Sequence, residues 1–171
     1  MKRLYIVLFI AFGISLSGCI KNEEVVFKKN PQVELDAATW NANAAGVNYP
    51  ILTRIPGYGR AIVTTIDPLL TRGSGMIKLR VNLVGPQLPI DTELTYEIME
   101  SLTTARPTVH YAPITGKYII PANSSFGEIT IQLLNPLTSS TSKDLALQLI
   151  SGSQIYASEN YKVVVLRISQ Q

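Results

Sequence analysis

The chain has very few of the residues that make cross-links, metal sites or catalytic triads. Its 171 residues include one cysteine, Cys19, and one histidine, His110. A single cysteine excludes an intrachain disulfide. A serine triad would have to use His110, yet the sequence contains no Gly-x-Ser-x-Gly elbow. We therefore expect no catalytic residues and interpret His110 as a structural hydrogen-bonding side chain.

An uncharged apolar run occurs at the start of the chain and is too short to span a membrane. Residues 4–16 follow Lys2 and Arg3. As a helix this run would reach about 20 Å, against roughly 30 Å for the hydrocarbon core of a bilayer. It ends in Leu16-Ser17-Gly18-Cys19, small residues directly before a cysteine, which is a lipobox. The sequence predicts a lipoprotein signal peptide at 1–18 and a lipid on Cys19.

Without that signal peptide, the chain has almost equal numbers of positive and negative charges. The full chain has 15 basic and 12 acidic residues, whereas residues 19–171 have 13 and 12. This near balance gives no reason to expect nucleic acid as a partner. The remaining length is typical of one domain. We place a flexible tether at 19–31, which ends in Pro31, and a single domain at 32–171.

The residues after the lipobox indicate where the protein is held. Lys21 is followed by Asn22 and then by Glu23 and Glu24. The segment resembles the export signals of Bacteroidetes lipoproteins, in which a lysine and two acidic residues follow the lipidated cysteine, although Asn22 interrupts the pattern. The resemblance implies a lipid-anchored outer-membrane protein exposed on the cell surface. A periplasm-facing location is the alternative.

Beyond the tether, apolar and polar residues alternate as they do in half-buried strands. Turn signals such as Gly85-Pro86 and Asn135-Pro136 separate the runs, and no window shows an apolar stripe of helical period. We predict an all-β fold, an antiparallel β-sandwich of seven or eight strands, with a small closed barrel as the alternative. The predicted strands are 76–84, 92–98, 129–133, 145–149 and 161–168, with weaker candidates at 33–35, 61–66 and 118–120.

The least regular part of the sequence is 39–75. Long loops on a rigid sandwich often carry function. Aromatic and arginine side chains are enriched where proteins bind partners or sugars. The candidate ligand contacts are Trp40, Tyr49, Arg54, Tyr58 and Arg60. In the alternative interpretation, which we prefer, Trp40 plugs one end of the core and the arginines are solvated.

Several segments carry a family resemblance. Residues 104–111, 116–125 and 129–134, together with 33–39 near the start, resemble Calx-beta domains and an uncharacterised group of Bacteroidetes lipoproteins. In both, a small residue precedes a histidine or aspartate and a tyrosine, and a strand then ends in an Ile-Pro-Ala-like turn. The resemblance implies an immunoglobulin-like sandwich on a lipid anchor, without a known activity.

Some Calx-beta domains bind calcium through clustered acidic side chains, and this sequence departs from that pattern. His110 occupies the position of the aspartate in the Asp-Tyr pair, and Asn135 stands where the strand would end in aspartates. Asp144 alone cannot supply the six to eight oxygen ligands that calcium takes. Asp91 and Glu93 lie two residues apart, but no second carboxylate pair is evident. We expect no metal and no cofactor.

These observations favour a non-enzymatic surface lipoprotein that acts as a binding or accessory module beside a nutrient-uptake or adhesion system. Its expected partners are the membrane, through the lipid, and an outer-membrane protein complex or a glycan. One alternative is a structural subunit of a surface fibre or adhesin, joined by strand addition. Another is a small hydrolase that uses a pair of Asp or Glu side chains.

Overall fold

Nine strands in two layers make up the fold, in a computed structural model that describes residues 30–135 and 141–170. A one-turn helix, α1 (Asp36–Trp40), follows the first strand. Cys19, the predicted signal peptide and residues 19–29 of the predicted tether lie outside the described residues. The strands are β1 (Gln32–Leu35), β2 (Ile51–Leu52), β3 (Met76–Val84), β4 (Thr92–Ile98), β5 (Lys117–Ile120), β6 (Phe126–Gln132), β7 (Lys143–Ile150), β8 (Tyr156–Ala157) and β9 (Val163–Ile168).

The strands form one four-stranded and one five-stranded sheet. Their orders are β6-β3-β1-β8 and β2-β9-β7-β4-β5. The longer ladders are antiparallel, and two short parallel pairs, β1 with β8 and β2 with β9, lie at the edges. Single turns of 3-10 helix occur at Arg72–Ser74 and Glu100–Leu102. In the described part of the chain, no helix is long and apolar enough to cross a bilayer.

The core lies between the two sheets and is built from alternate side chains. In β3 the odd-numbered residues from Ile77 to Leu83 are buried, and the even-numbered ones face outward. Leu145, Leu147 and Leu149 of β7 are buried in the opposite sheet. Apolar burial of this kind supplies most of the favourable free energy of folding. The prediction of an all-β sandwich is confirmed.

Some local expectations are wrong. Residues 61–66, predicted as a weak strand, form no strand, because the backbone N–H groups of Ile66 and Asp67 both donate to the Val63 carbonyl in a turn. The short strands β2 and β8 and the helix α1 were not predicted. Elements of two to five residues are too short for their apolar period to be seen.

Gly127 allows the two sheets to approach at one corner. It lies in β6, at the edge of the four-stranded sheet, next to β5 at the edge of the other sheet. A Cβ on Gly127 would overlap the backbone carbonyl oxygen of Ile119 in β5. A residue without a side chain is therefore required at this point in the corner.

Candidate functional site

The outer face of the four-stranded sheet carries a cluster of aromatic and charged side chains. Because directly opposed residues of an antiparallel pair share a face, Arg80 lies beside Glu128, and Asn82 beside Phe126. Tyr58 reaches this face from the loop between β2 and β3. We call the cluster the sheet-face site; it consists of Tyr58, Lys78, Arg80, Asn82, Phe126 and Glu128.

Arg80 is the centre of the sheet-face site. Its guanidinium carbon lies 4.1 Å from the centre of the Phe126 ring and 5.9 Å from the centre of the Tyr58 ring. Both distances are within the range of cation–π attraction. Tyr58 and Phe126 are each 40% exposed, so the two residues present apolar surface to solvent beside the cation.

The orientation of Arg80 is fixed through a chain of hydrogen bonds that ends in the protein interior. Arg80 Nε donates to Asn82 Oδ1 (2.8 Å), and Asn82 Nδ2 donates to Asp36 Oδ1 (2.7 Å). Asp36 is 3% exposed, and its other oxygen accepts the Gly59 N–H (2.7 Å). One buried carboxylate therefore joins helix α1, strand β3 and the loop that carries Tyr58.

Glu128 is held on both of its oxygens. The Tyr58 hydroxyl donates to Oε1 (2.9 Å), and Lys78 Nζ donates to Oε2 (2.8 Å). These two hydrogen bonds lower the pKa of Glu128 below its ordinary value, and the bond from Lys78 has the larger effect. Burial, followed by the neighbouring Glu128, raises the pKa of Tyr58 to about 12. The Tyr58 hydroxyl therefore stays neutral and the Glu128 carboxylate stays negatively charged across the physiological pH range.

The loop that carries Tyr58 is closed by Asp67. Arg60 Nη1 and Nη2 donate to the two Asp67 carboxylate oxygens (2.7 and 2.5 Å), and the Val63 N–H donates to one of them (2.7 Å). Arg54 Nη1 donates to the Asp67 backbone carbonyl (2.6 Å). The hydrogen bond from Arg60 is the largest effect that lowers the pKa of Asp67 to about 2. The two arginines thus hold the loop together.

The five residues proposed from sequence as ligand contacts are not brought together. Tyr58 joins the sheet-face site, whereas Arg54 and Arg60 are engaged with Asp67. Trp40 ends α1 and is 50% exposed, so the preferred expectation that it plugs the core is wrong. The arginines are partly exposed, as that interpretation expects, with 39% of the Arg60 side chain accessible, but each is also bonded to Asp67. Tyr49 is half-buried, and its backbone carbonyl accepts the Ala44 N–H.

Sequence reasoning missed Lys78, Arg80, Asn82, Phe126 and Glu128. The alternation in β3 correctly placed Arg80 and Asn82 on the solvent side of the strand, but a solvent-facing arginine carries no signal by itself. The signal would have been the pairing of β3 with β6, which places Phe126 and Glu128 beside them. That pairing joins residues more than 40 positions apart.

His110 is buried and makes a local hydrogen bond. Its Nδ1 accepts the Arg106 N–H (2.9 Å), in agreement with the structural role expected from the sequence. Burial is the main effect that lowers its pKa below the ordinary value. Among residues 30–135 and 141–170, no group of three or more His, Cys, Asp or Glu side chains is placed to hold a metal ion.

Comparison with known proteins yields a likeness in fold. No protein-family model and no curated protein matches the sequence. Among solved structures, the apo form of the Calx CBD1 domain superposes with a TM-score of 0.53 at 10% identity, over 81% of this chain and 96% of that domain. This chain has a Calx-beta-like fold. CBD12 from CALX1.2 gives a TM-score of 0.47 at 13% identity, over 58% of this chain and 41% of that one.

The Calx-beta-like fold positions the sheet-face site on the outer face of the sheet. Strands β3 and β6 supply five of its six residues, and the loop between β2 and β3 supplies Tyr58. Side chains on strands are held more precisely than those on loops. A likeness at such low identity concerns architecture alone, so the chemistry of the site has to be argued from its own residues.

Proposed function

We propose that this chain is a non-enzymatic lipoprotein of the Bacteroidetes surface type, anchored in the outer membrane through Cys19, and that it binds glycans on the sheet-face site. In this proposal it serves as a binding or accessory module beside a nutrient-uptake or adhesion system. The lipobox at 16–19 and the charged segment after Cys19 support the anchor and the surface location.

The observation that carries the binding proposal is the state of Arg80. Its Nε is used by Asn82, and neither Nη nitrogen donates a hydrogen bond to another residue in the described ranges. A guanidinium with a fixed plane and free Nη groups can donate two parallel hydrogen bonds to adjacent oxygens. Neighbouring hydroxyls on a sugar ring present such a pair of oxygens.

The two rings beside Arg80 supply the second element of a sugar site. Phe126 and Tyr58 are exposed, and aromatic faces offer large, rigid apolar area at low entropic cost. The C–H face of a pyranose can pack on such a ring while its hydroxyls reach the polar groups around it. Glu128 and Asn82 lie within the same patch and add hydrogen-bonding groups.

The charges of the patch favour a neutral sugar. Lys78 and Arg80 carry two positive charges, which Asp36 and Glu128 balance. Glu34 of β1 lies directly opposite Asn82 and adds a negative charge to this face. An anionic sugar would meet like charge here, which disfavours its binding.

A glycan-binding experiment tests this proposal. The soluble domain, residues 30–171, is applied to an array of neutral and acidic glycans and the hits are titrated calorimetrically. We expect neutral glycans to bind and Phe126→Ala to lose most of the affinity. Ile119→Ala is the matched control, because it removes an apolar side chain of a residue that is 50% exposed, against 40% for Phe126, from β5 on the other sheet, and it should bind as the parent does.

The array also distinguishes Trp40 from Phe126 as the binding aromatic residue, and neutral from acidic glycans as the ligand. Trp40→Ala should leave binding unchanged, because Trp40 is not part of the sheet-face site. Loss of binding in Trp40→Ala but not in Phe126→Ala would place the site elsewhere. Absence of any glycan hit, or hits confined to acidic glycans, would overturn the proposed ligand.

Two experiments on cells test the anchor and the location. Cys19→Ala should release the protein from the membrane fraction, because the lipid has no other attachment point in the sequence. Added protease should degrade the wild-type protein on intact cells. Protection of the protein until the outer membrane is opened would contradict surface exposure and support the periplasm-facing alternative.

A further inference from the structure

One end of the sandwich is almost free of charge. The loops 85–91, 121–125 and 151–155 meet there, since the Asn123 N–H donates to the Leu88 carbonyl and the Tyr156 N–H to the Pro31 carbonyl. Asp91 is the one charged residue in these three loops. Its Oδ1 accepts the Ala122 N–H (2.8 Å). We call this region, together with Asn30 and Pro31, the tether end.

The tether end is also apolar and concave. Cavities of roughly 300 to 1,000 Å³ are typical of sites for small molecules, and the cavity here measures about 650 Å³. Its apolar lining is formed by Leu88, Pro89, Ile90, Ile155 and Tyr156. Ile90 is 69% exposed, and the Tyr156 side chain is exposed as well. Exposed apolar groups gathered in one place mark an interaction surface.

The opposite end of the sandwich has a different character. The segment 53–75 carries Arg54, Arg60, Asp67 and Arg72, and the segment 99–116 carries Glu100 and Arg106. Charged groups are strongly hydrated, so removing them from water is costly. The tether end has few charged groups, so little of this cost opposes its removal from water. The contrast between the ends indicates that one faces solvent and the other faces an apolar partner.

The position of the chain selects that partner. Asn30 and Pro31 line the cavity, so the chain that leads back to Cys19 leaves from its wall. Residues 19–29 can span at most about 40 Å when fully extended. An anchor at Cys19 would keep the tether end at high effective concentration near the lipid surface. Tyrosine is favoured where one end of a side chain is apolar and the other is wet.

We propose that the tether end rests on the lipid bilayer, with Ile90 and the surrounding apolar lining in contact with the headgroup and acyl boundary. This rests on the lipid anchor of the proposed function. A contact at the boundary between headgroups and acyl chains, made by one lipid anchor and a small apolar patch, is typical of peripheral membrane proteins. It would orient the sandwich with its charged loops pointing away from the membrane.

Site-specific fluorescence in vesicles tests the proposal. The acylated protein, which begins at Cys19 once the signal peptide is removed, is reconstituted into phosphatidylethanolamine and phosphatidylglycerol vesicles. Since Cys19 is the sole native thiol and is used by the lipid, Ile90→Cys can be labelled uniquely with an environment-sensitive dye. Ile66→Cys is the matched control, because Ile66 is 70% exposed and lies in the charged segment 53–75.

We expect the dye at position 90 to shift to the blue on reconstitution and to lose intensity when spin-labelled lipid is included. The dye at position 66 should show neither change. Equal, water-like emission at both positions in vesicles that carry the protein would overturn the bilayer contact while leaving the anchor intact. Failure of the wild-type protein to float with the vesicles would overturn both the anchor and the contact.

Discussion

The guanidinium of Arg80 in β3 lies over the ring of Phe126 in β6, with 4.1 Å between the guanidinium carbon and the ring centre. The two residues belong to adjacent antiparallel strands, but they are diagonal neighbours, because Arg80 is directly opposed by Glu128. Diagonal pairs are within reach of aromatic and long side chains. The stack therefore joins β3 to β6 across the sheet-face site.

Arg80→Lys should separate the charge of this residue from its shape. Lysine keeps the positive charge but lacks the planar fork and the Nε donor to Asn82. We expect glycan affinity to fall on the order of tenfold, which corresponds to the roughly 1–2 kcal/mol of a stacked, forked contact. Calorimetric titration measures the loss. Arg106→Lys on an exposed loop is the control, and equal binding by the two variants would argue against a role for the fork.

Gly127→Ala should destabilise the sandwich. The new Cβ would overlap the Ile119 carbonyl oxygen, and a backbone atom cannot move aside as a flexible side chain can. We expect a loss of about 1–3 kcal/mol in the free energy of unfolding, as for other overpacked sites. Gly152→Ala is the matched control, because its Cβ would make ordinary contacts with Ile155 and Leu94. Urea denaturation of both variants checks the difference.

Asp67 should make the stability of the protein depend on acid pH. The pKa of Asp67 is lowered to about 2 in the folded state, first by Arg60. Its stabilising effect is therefore complete above its unfolded pKa, near 3.8, and is lost as the pH falls through about 2. The difference in unfolding free energy between the parent and Asp67→Asn should shrink over this window.

A second variant identifies the cause of that effect. Arg60→Gln removes the main group that lowers the pKa of Asp67, so the folded pKa should move towards the unfolded value and the total loss of stability on acidification should be smaller than in the parent. Denaturant titrations from about pH 5 to about pH 1, roughly the interval that brackets the two pKa values, measure both variants. An unchanged acid profile in Arg60→Gln would contradict the assignment.

His110 should make the stability of the protein depend on pH in a higher range than Asp67 does. Burial lowers its pKa in the folded state, so the unfolded chain binds the proton more readily. Stability is complete above the ordinary pKa of 6.5 and falls as the pH drops through the lower folded value. In His110→Asn the amide oxygen can still accept the Arg106 N–H, but the ionisable group is gone. Its unfolding free energy should stay level between about pH 7 and pH 5 while that of the parent falls.

The sequence predicts the regular strands well, because one face of each strand is apolar and the other is polar. Residues 76–84 and 92–98 are strands with the bounds expected from alternation. The segment 61–66 has apolar residues but no partner strand, because the Asp67 carboxylate accepts the Val63 N–H and closes a turn. A side chain that competes for backbone donors overrides a weak strand preference.

The candidate site is less accessible from sequence than the fold. The sequence points to Tyr58, because an aromatic residue in an irregular glycine-rich segment is conspicuous. It does not point to Arg80 or Phe126, because each looks ordinary within its own strand, and their proximity depends on the register between β3 and β6. Register is decided by which residues the whole sheet buries, and a single strand does not contain that information.

The place of β1 in the four-stranded sheet has a mechanical consequence. β1 is the strand next to the tether, and it lies inside the sheet between β3 and β8. Its hydrogen bonds to β3 run across the strand axis. A load pulled between the anchor and a ligand held on β3 would therefore act along the strands and stress all four residue pairs of this ladder at once. A sandwich hung by this strand would resist drag on a bound ligand through two ladders, those to β3 and to β8, whereas an edge strand would have only one.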